Sequence, residues 1–81
     1  MAIKADDILD LVAEEAPVER DALDPSATLE SLGVASLDMI SVLFSLEDRF
    51  GLVVETEEIA QAKTLGDFVR VVLAKAAAEG K

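Results

Sequence analysis

Neither cysteine nor histidine occurs anywhere in these 81 residues. Without cysteine there are no disulfides, no thiolate zinc sites and no thiol chemistry of the chain's own. Without histidine a serine lacks the imidazole that would make it a nucleophile in a hydrolase-type triad. Positive charge is also scarce. Seven Lys and Arg stand against 17 Asp and Glu, for a net charge of −10. Such a chain repels nucleic acid and anionic membrane surfaces, so its partners are expected to present basic patches. The bland alternative is that the acids serve solubility alone. No apolar run approaches the length of a transmembrane helix. Asp6, Asp7 and Asp10 interrupt the N-terminal stretch that a signal peptide would need. The expectation is a cytoplasmic protein with no membrane insertion. No window matches a twelve-residue calcium loop, so no metal site is expected. The length suits a single domain, residues 1–81, of marginal stability.

What is present is helical periodicity, and charge confined to one part of the chain. From Asp6 to Asp48 there are 12 acids and one base, Arg20, whereas Arg49 to Lys81 is balanced. A first helix is expected over Lys4–Ala16. It has Ile8, Leu11, Val12 and Ala16 on one face, Asp7, Asp10 and Glu14 opposite, and Pro17 as its terminator. A long loop follows, with a turn at Asp24-Pro25-Ser26. Leu23, Leu29 and Leu32 can pin this loop to a core, and Thr28–Leu32 can form one helical turn. The second long helix spans Ser36–Phe50, with Ser36 as its expected N-cap, Asp38 in the first turn and Gly51 as its C-terminal cap. Leu52-Val53-Val54 is too short and solitary to build a sheet and is expected as an extended connector. Thr56 is expected to cap a short acidic helix anchored by Ile59. Thr64-Leu65-Gly66-Asp67 reads as a capping box that opens a last helix to about Ala78. Leu65, Phe68, Val69, Val72, Leu73 and Ala76 form its buried stripe, Arg70 and Lys75 point away, and Gly66 slightly weakens its first turn.

Two features carry functional information. Helix Ser36–Phe50 holds Leu37, Ile40, Val42, Leu43, Phe44, Leu46 and Phe50, too many apolar residues for one narrow stripe. It is either central to the bundle or apolar on a face meant for a partner, and Met39, Ile40 and Phe44 fit core or contact equally. Just before it, Gly33-Val34-Ala35-Ser36-Leu37-Asp38 sets a serine at the mouth of an acidic helix. With no imidazole in its own chain to activate it, that serine is expected to react only where another protein acts on it. It therefore reads as an attachment point, beside the simpler reading as a cap.

The segment Leu32-Gly33-Val34-Ala35-Ser36-Leu37-Asp38, followed by Leu46-Glu47-Asp48-Arg49-Phe50-Gly51, resembles the acyl carrier protein family of phosphopantetheine-binding carriers. Helix order, the long first loop and the Thr-led last helix extend the resemblance over nearly the whole chain. It implies an all-α, four-helix acyl-carrier-like bundle of three longer helices and one short one. It implies that Ser36 bears 4'-phosphopantetheine, joined through a phosphodiester by a phosphopantetheinyl transferase, whose thiol holds an acyl group as a thioester. Partners would be that transferase and ligase, acyltransferase or synthase enzymes with basic docking patches. The implied partner face comprises Leu37, Asp38, Met39, Ile40, Phe44, Glu47 and Asp48, with Glu57 and Glu58 from the short helix. The chain itself would catalyse nothing and would be a monomer. Any cargo cavity would depend on how Leu43, Phe44, Leu46, Ile59 and Val69 pack. Ala35 stands where the family most often has Asp, and Ser41 and Arg49 where housekeeping fatty-acid carriers usually have acids. These departures imply a dedicated carrier with its own partner set. Two alternatives accompany this reading: an aminoacyl or peptidyl carrier loaded by an adenylating ligase, and an unmodified acidic helical adaptor.

Overall fold

A computed structural model describes residues 3–16 and 18–80. Four α-helices occur among them: α1 (Ala5–Glu15), α2 (Ser36–Phe50), α3 (Thr56–Ile59) and α4 (Leu65–Ala78), with a 3-10 turn at Arg20–Ala22. No β-strand is found among the described residues, and Leu52-Val53-Val54 lies in no helix or strand, a connector between α2 and α3.

The helices form where apolar periodicity and capping coincide. In α1, Ile8, Leu11 and Val12 are buried, with Ala16 just past its end. The expected outer residues Lys4 and Ala16 are its two caps. Pro17, expected to stop the helix, lies outside the described residues. In α2 the buried set is Met39, Val42, Leu43 and Leu46, and Gly51 ends the helix in the left-handed region at φ 64°. In α4 it is Leu65, Phe68, Val72 and Ala76, with Val69 and Leu73 half-buried at its margins. α1 packs against both α2 and α4, so these three stripes close on one core, joined by Leu23, Val34, Leu52 and Val54 from the connections. Each fully buried Leu or Ile side chain contributes roughly 1.5–3 kcal/mol. Phe68 is fully buried, and Phe50 is half-buried against the core edge.

Several details correct the sequence-based expectations. Ser36 is not the N-cap of α2; Ala35 is, and Ser36 is the first helical residue. Glu55, not Thr56, caps α3. Thr64 does cap α4: its Oγ1 accepts from the Asp67 amide at 3.1 Å, and Asp67 Oδ2 accepts from the Thr64 amide at 3.4 Å. Lys75 does not point away into solvent; its Nζ lies 3.2 Å from Glu58 of α3. Arg70 is exposed as expected, 3.7 Å from Asp67.

The long loop is tied down more firmly than three leucines would achieve. Arg20 reaches Asp6 at 3.1 Å and Asp10 at 3.0 Å, clamping the 3-10 turn onto α1. Leu23 is buried, Leu29 and Leu32 are half-buried, and the Leu32 amide donates to Thr28 O at 3.1 Å, the single turn expected there. Farther along, the loop pairs with the start of α4. Leu29 N–H donates to Lys63 O and Leu65 N–H to Ala27 O, both at 3.0 Å, and Gly66 N–H donates to Pro25 O at 2.8 Å. A Cβ at Gly66 would lie 3.0 Å from that same Pro25 oxygen. Gly66 is therefore a point of close backbone approach rather than a mere weak spot in α4.

Candidate functional site

Ser36 stands at the junction of the pinned loop and α2. Gly33, at φ 78°, makes the left-handed turn that a side chain would disfavour. Val34 then drops into the core, and Ala35 opens the helix. Ala35 has no side-chain acceptor. The side-chain cap comes from Asp38, whose Oδ2 accepts from the Ala35 amide at 2.9 Å. Because Ala35 holds the N-cap position, the Ser36 hydroxyl stands outside the capping, on an exposed residue at the first turn of a fifteen-residue helix. The positive end of such a helix favours an anion beside it.

An open groove begins at this serine. Its walls are Leu29 and Val34 of the loop, Ser36, Met39 and Ile40 of α2, and Thr56, Ile59, Ala60 and Ala62 from α3 and the turn after it, enclosing about 480 Å³. Beyond Ile40 and Thr56 lies a smaller hollow of about 210 Å³, lined by Leu43, Phe44, Glu47, Val53, Val54 and Glu55. A larger recess of about 690 Å³ on another side of α2, lined by Glu15, Ser41, Phe44, Ser45, Glu47 and Asp48, is polar and does not include Ser36.

The residues expected on a partner face divide into three groups. Leu37, Ile40 and Phe44 are 76%, 38% and 67% exposed and form a ridge at helical spacing down α2, with Val53 (48%) near its far end. Glu47 and Asp48 are exposed at the end of α2, and Glu57 is exposed on α3. Met39 is different: it is buried and lines the groove floor. Asp38 is half-buried and spent on the cap, and Glu58 turns toward Lys75. The Glu55 amide and Lys75 together hold the Glu58 carboxyl below its ordinary pKa.

Sequence reasoning missed Leu29, Val34, Thr56, Ala60 and Ala62 as groove lining, because they come from four separate stretches of chain. It also gave Arg49 no partner. Arg49 forms a two-pronged pair with Glu14 of α1 at 2.8 and 3.3 Å, which pushes its own pKa up. No group of three or more acids among the described residues is arranged to hold a metal ion. No helix among them is long and apolar enough to cross a membrane.

The site fits a tethered phosphate ester on three observations of structure: a hydroxyl excluded from capping, a helix N-terminus beside it, and an apolar groove leading away. Comparison with known proteins points the same way. A family model described as "Phosphopantetheine attachment site" matches residues 6–72. An acyl carrier protein of Wolinella succinogenes is 34% identical over 68 residues, covering 83% of this chain and 90% of that protein. A protein named acyl carrier protein AcpXL from Brucella melitensis is 32% identical over 62 residues, covering 75% of this chain and 67% of that protein. Its namesake in Rhizobium meliloti is 32% identical over 57 residues, covering 69% and 60% respectively.

Proposed function

From the premise that this chain belongs to the acyl carrier protein family, whose members bear 4'-phosphopantetheine, we propose that Ser36 is the residue that holds the arm. The protein is an acyl carrier rather than an enzyme, and the aminoacyl-carrier and unmodified-adaptor alternatives are not favoured. The observation that carries the Ser36 assignment is its position. It is the first residue of α2, exposed, one position past the N-cap Ala35, and at the head of the groove.

When bound, the arm supplies a thiol that holds acyl groups as thioesters. The chain's own residues prepare for it. The hydroxyl of Ser36 has no histidine in the chain to deprotonate it, so the proton released on esterification passes to a group of the transferase. The first-turn amides of α2 favour the diester anion that results. Leu29, Val34, Met39, Ile40 and Ile59 offer an apolar wall on which an acyl chain can rest away from water.

Partners of the family as a whole are a phosphopantetheinyl transferase and acyl-handling enzymes. For this chain we assign docking to the ridge Leu37–Ile40–Phe44, rimmed by Glu47, Asp48 and Glu57. An exposed apolar ridge with an acidic rim suits an apolar socket with a basic border, a combination that associates fast and releases readily. Asp38 adds its charge at the top of the ridge, whereas Met39 serves the groove. Ser41 and the internally paired Arg49 leave the middle and end of α2 less acidic, which supports a dedicated pathway rather than housekeeping fatty-acid synthesis. Residues 1–81 are read as one carrier domain, monomeric and cytoplasmic.

Intact mass tests the assignment. Incubation with coenzyme A and a broad-specificity phosphopantetheinyl transferase is expected to add one arm to the wild-type chain and none to Ser36→Ala. Addition to Ser36→Ala, or none to the wild type with any transferase, refutes it.

A further inference from the structure

We propose that the Lys75–Glu58 ion pair is a latch that holds α3 against α4 and thereby sets how far the groove beside Ser36 opens. α3 has only four residues, none of them buried. A single turn of helix does not hold itself together in water. Yet α3 and the turn behind it supply one whole wall of the groove, Thr56, Ile59, Ala60 and Ala62. Half-buried Ile59 is the apolar anchor of that wall. The polar anchor is Glu58, whose two oxygens do separate tasks. Oε2 accepts from the Glu55 amide at 2.8 Å and caps α3 itself. Oε1 lies 3.2 Å from Lys75 Nζ, nearly three turns into α4.

Among the ion pairs of the described residues, this is the most sheltered one, with side chains 32% and 34% exposed. Salt and solvent therefore screen it less than the pairs made by Arg20, Arg49 and Arg70. Lys75 also has a second acid within reach, Glu79 Oε2 at 3.8 Å on its own helix. When the latch opens, the ammonium keeps a partner while α3 loses one. The opening is thus a shift between two acids rather than the baring of a charge, which keeps both states accessible. Gating of the groove rests on the carrier reading above. The tie between α3 and α4 does not.

Amide hydrogen exchange on the unmodified chain tests the tie. In Lys75→Met the Ala62 amide, bonded to Ile59 O at 3.0 Å, and its α3 neighbours are expected to exchange about two- to fivefold faster, the range such a pair supports. Phe68 and Val72 amides should hold their rates, and Lys75→Arg should restore α3. Glu58→Gln, which keeps an oxygen for the Glu55 amide, should match Lys75→Met. Equal acceleration in α3 and α4, no acceleration, or unprotected α3 amides in the wild type would each overturn the latch. The gating arm uses the chain carrying an octanoyl thioester, followed by mass as the acyl group hydrolyses in buffer. Lys75→Met should lose octanoate faster by a similar factor and Lys75→Arg should not. Unchanged hydrolysis alongside faster exchange would refute gating. Failure of the chain to accept the arm would refute the Ser36 assignment, leaving the exchange result to decide the tie.

Discussion

Phe44 and Phe68 are both helical phenylalanines, and burial alone separates their roles. Phe68 is sealed in the core, so Phe68→Ala is expected to cost about 3–5 kcal/mol. A domain of this size has little more than that to spare, and the variant should be largely unfolded by circular dichroism at 37 °C. Phe44 stands on the exposed ridge. Phe44→Ala should leave stability within about 0.5 kcal/mol, since exposed side chains away from special features rarely matter more. It should raise the transferase's KM for the carrier; an unchanged KM would remove Phe44 from the docking surface. Gly66 makes a third case. In an exposed helix Gly→Ala gains up to about 1 kcal/mol. Here the new methyl meets the Pro25 oxygen that also accepts the Gly66 amide. Gly66→Ala is therefore expected to lower the melting temperature, and a rise would show that the loop gives way freely.

At the scale of elements, one device recurs. Each of the four α-helices has an acid at its third residue, and that acid accepts from the amide of the residue before the helix: Asp7 from Lys4, Asp38 from Ala35, Glu58 from Glu55 and Asp67 from Thr64. The pattern was legible in the sequence, but reading it through the usual Ser or Thr cap found it only at Thr64. At Ser36 that habit misled, because the helix begins one residue earlier than such a cap would need: Ala35 is the N-cap, and Ser36, already helical, is not placed to accept from the N2 or N3 amide. Such bonds also predict an acid response. Hydrogen bonds from the Thr64 amide and hydroxyl hold the Asp67 carboxyl below its ordinary value. A depressed folded pKa contributes stability above the unfolded value, near 4, and loses it as pH falls through the folded value. Asp67→Asn should therefore be less stable than wild type at pH 7, and the two should converge toward about pH 2–3 in urea titrations. A constant difference across that window would show that Asp67 does not act through its charge.

For the whole molecule the governing quantity is charge. Among the described residues four basic side chains pair with acids of the chain itself: Arg20 with Asp6 and Asp10, Arg49 with Glu14, Arg70 with Asp67, and Lys75 with Glu58 and Glu79. Lys4 and Lys63 are exposed as well, but the rest of the outward charge is acidic, including Glu47 and Asp48 at the end of α2 and Glu55 and Glu57 at the start of α3. Self-repulsion of this kind is screened by salt, so the melting temperature should climb as sodium chloride rises from about 10 mM to 0.5 M. Magnesium should act at lower concentration than sodium. A flat response would mean that the acids are too dispersed to strain the fold.

The order of the helices, the residues of α2 and the serine at its head were determined by the sequence alone. Their signals are local: periodicity, a glycine and an acid within a few residues of one another. Only the tertiary structure decided the rest. The groove draws its walls from the loop, α2, α3 and the turn before α4, and no one stretch of chain reveals that they meet. Glu58 and Lys75, alike in sequence to any surface charges, became partners because α3 settles against α4. Contacts between residues far apart in the chain depend on how whole elements pack, and that packing is the sum of many small apolar contacts rather than the property of any one residue.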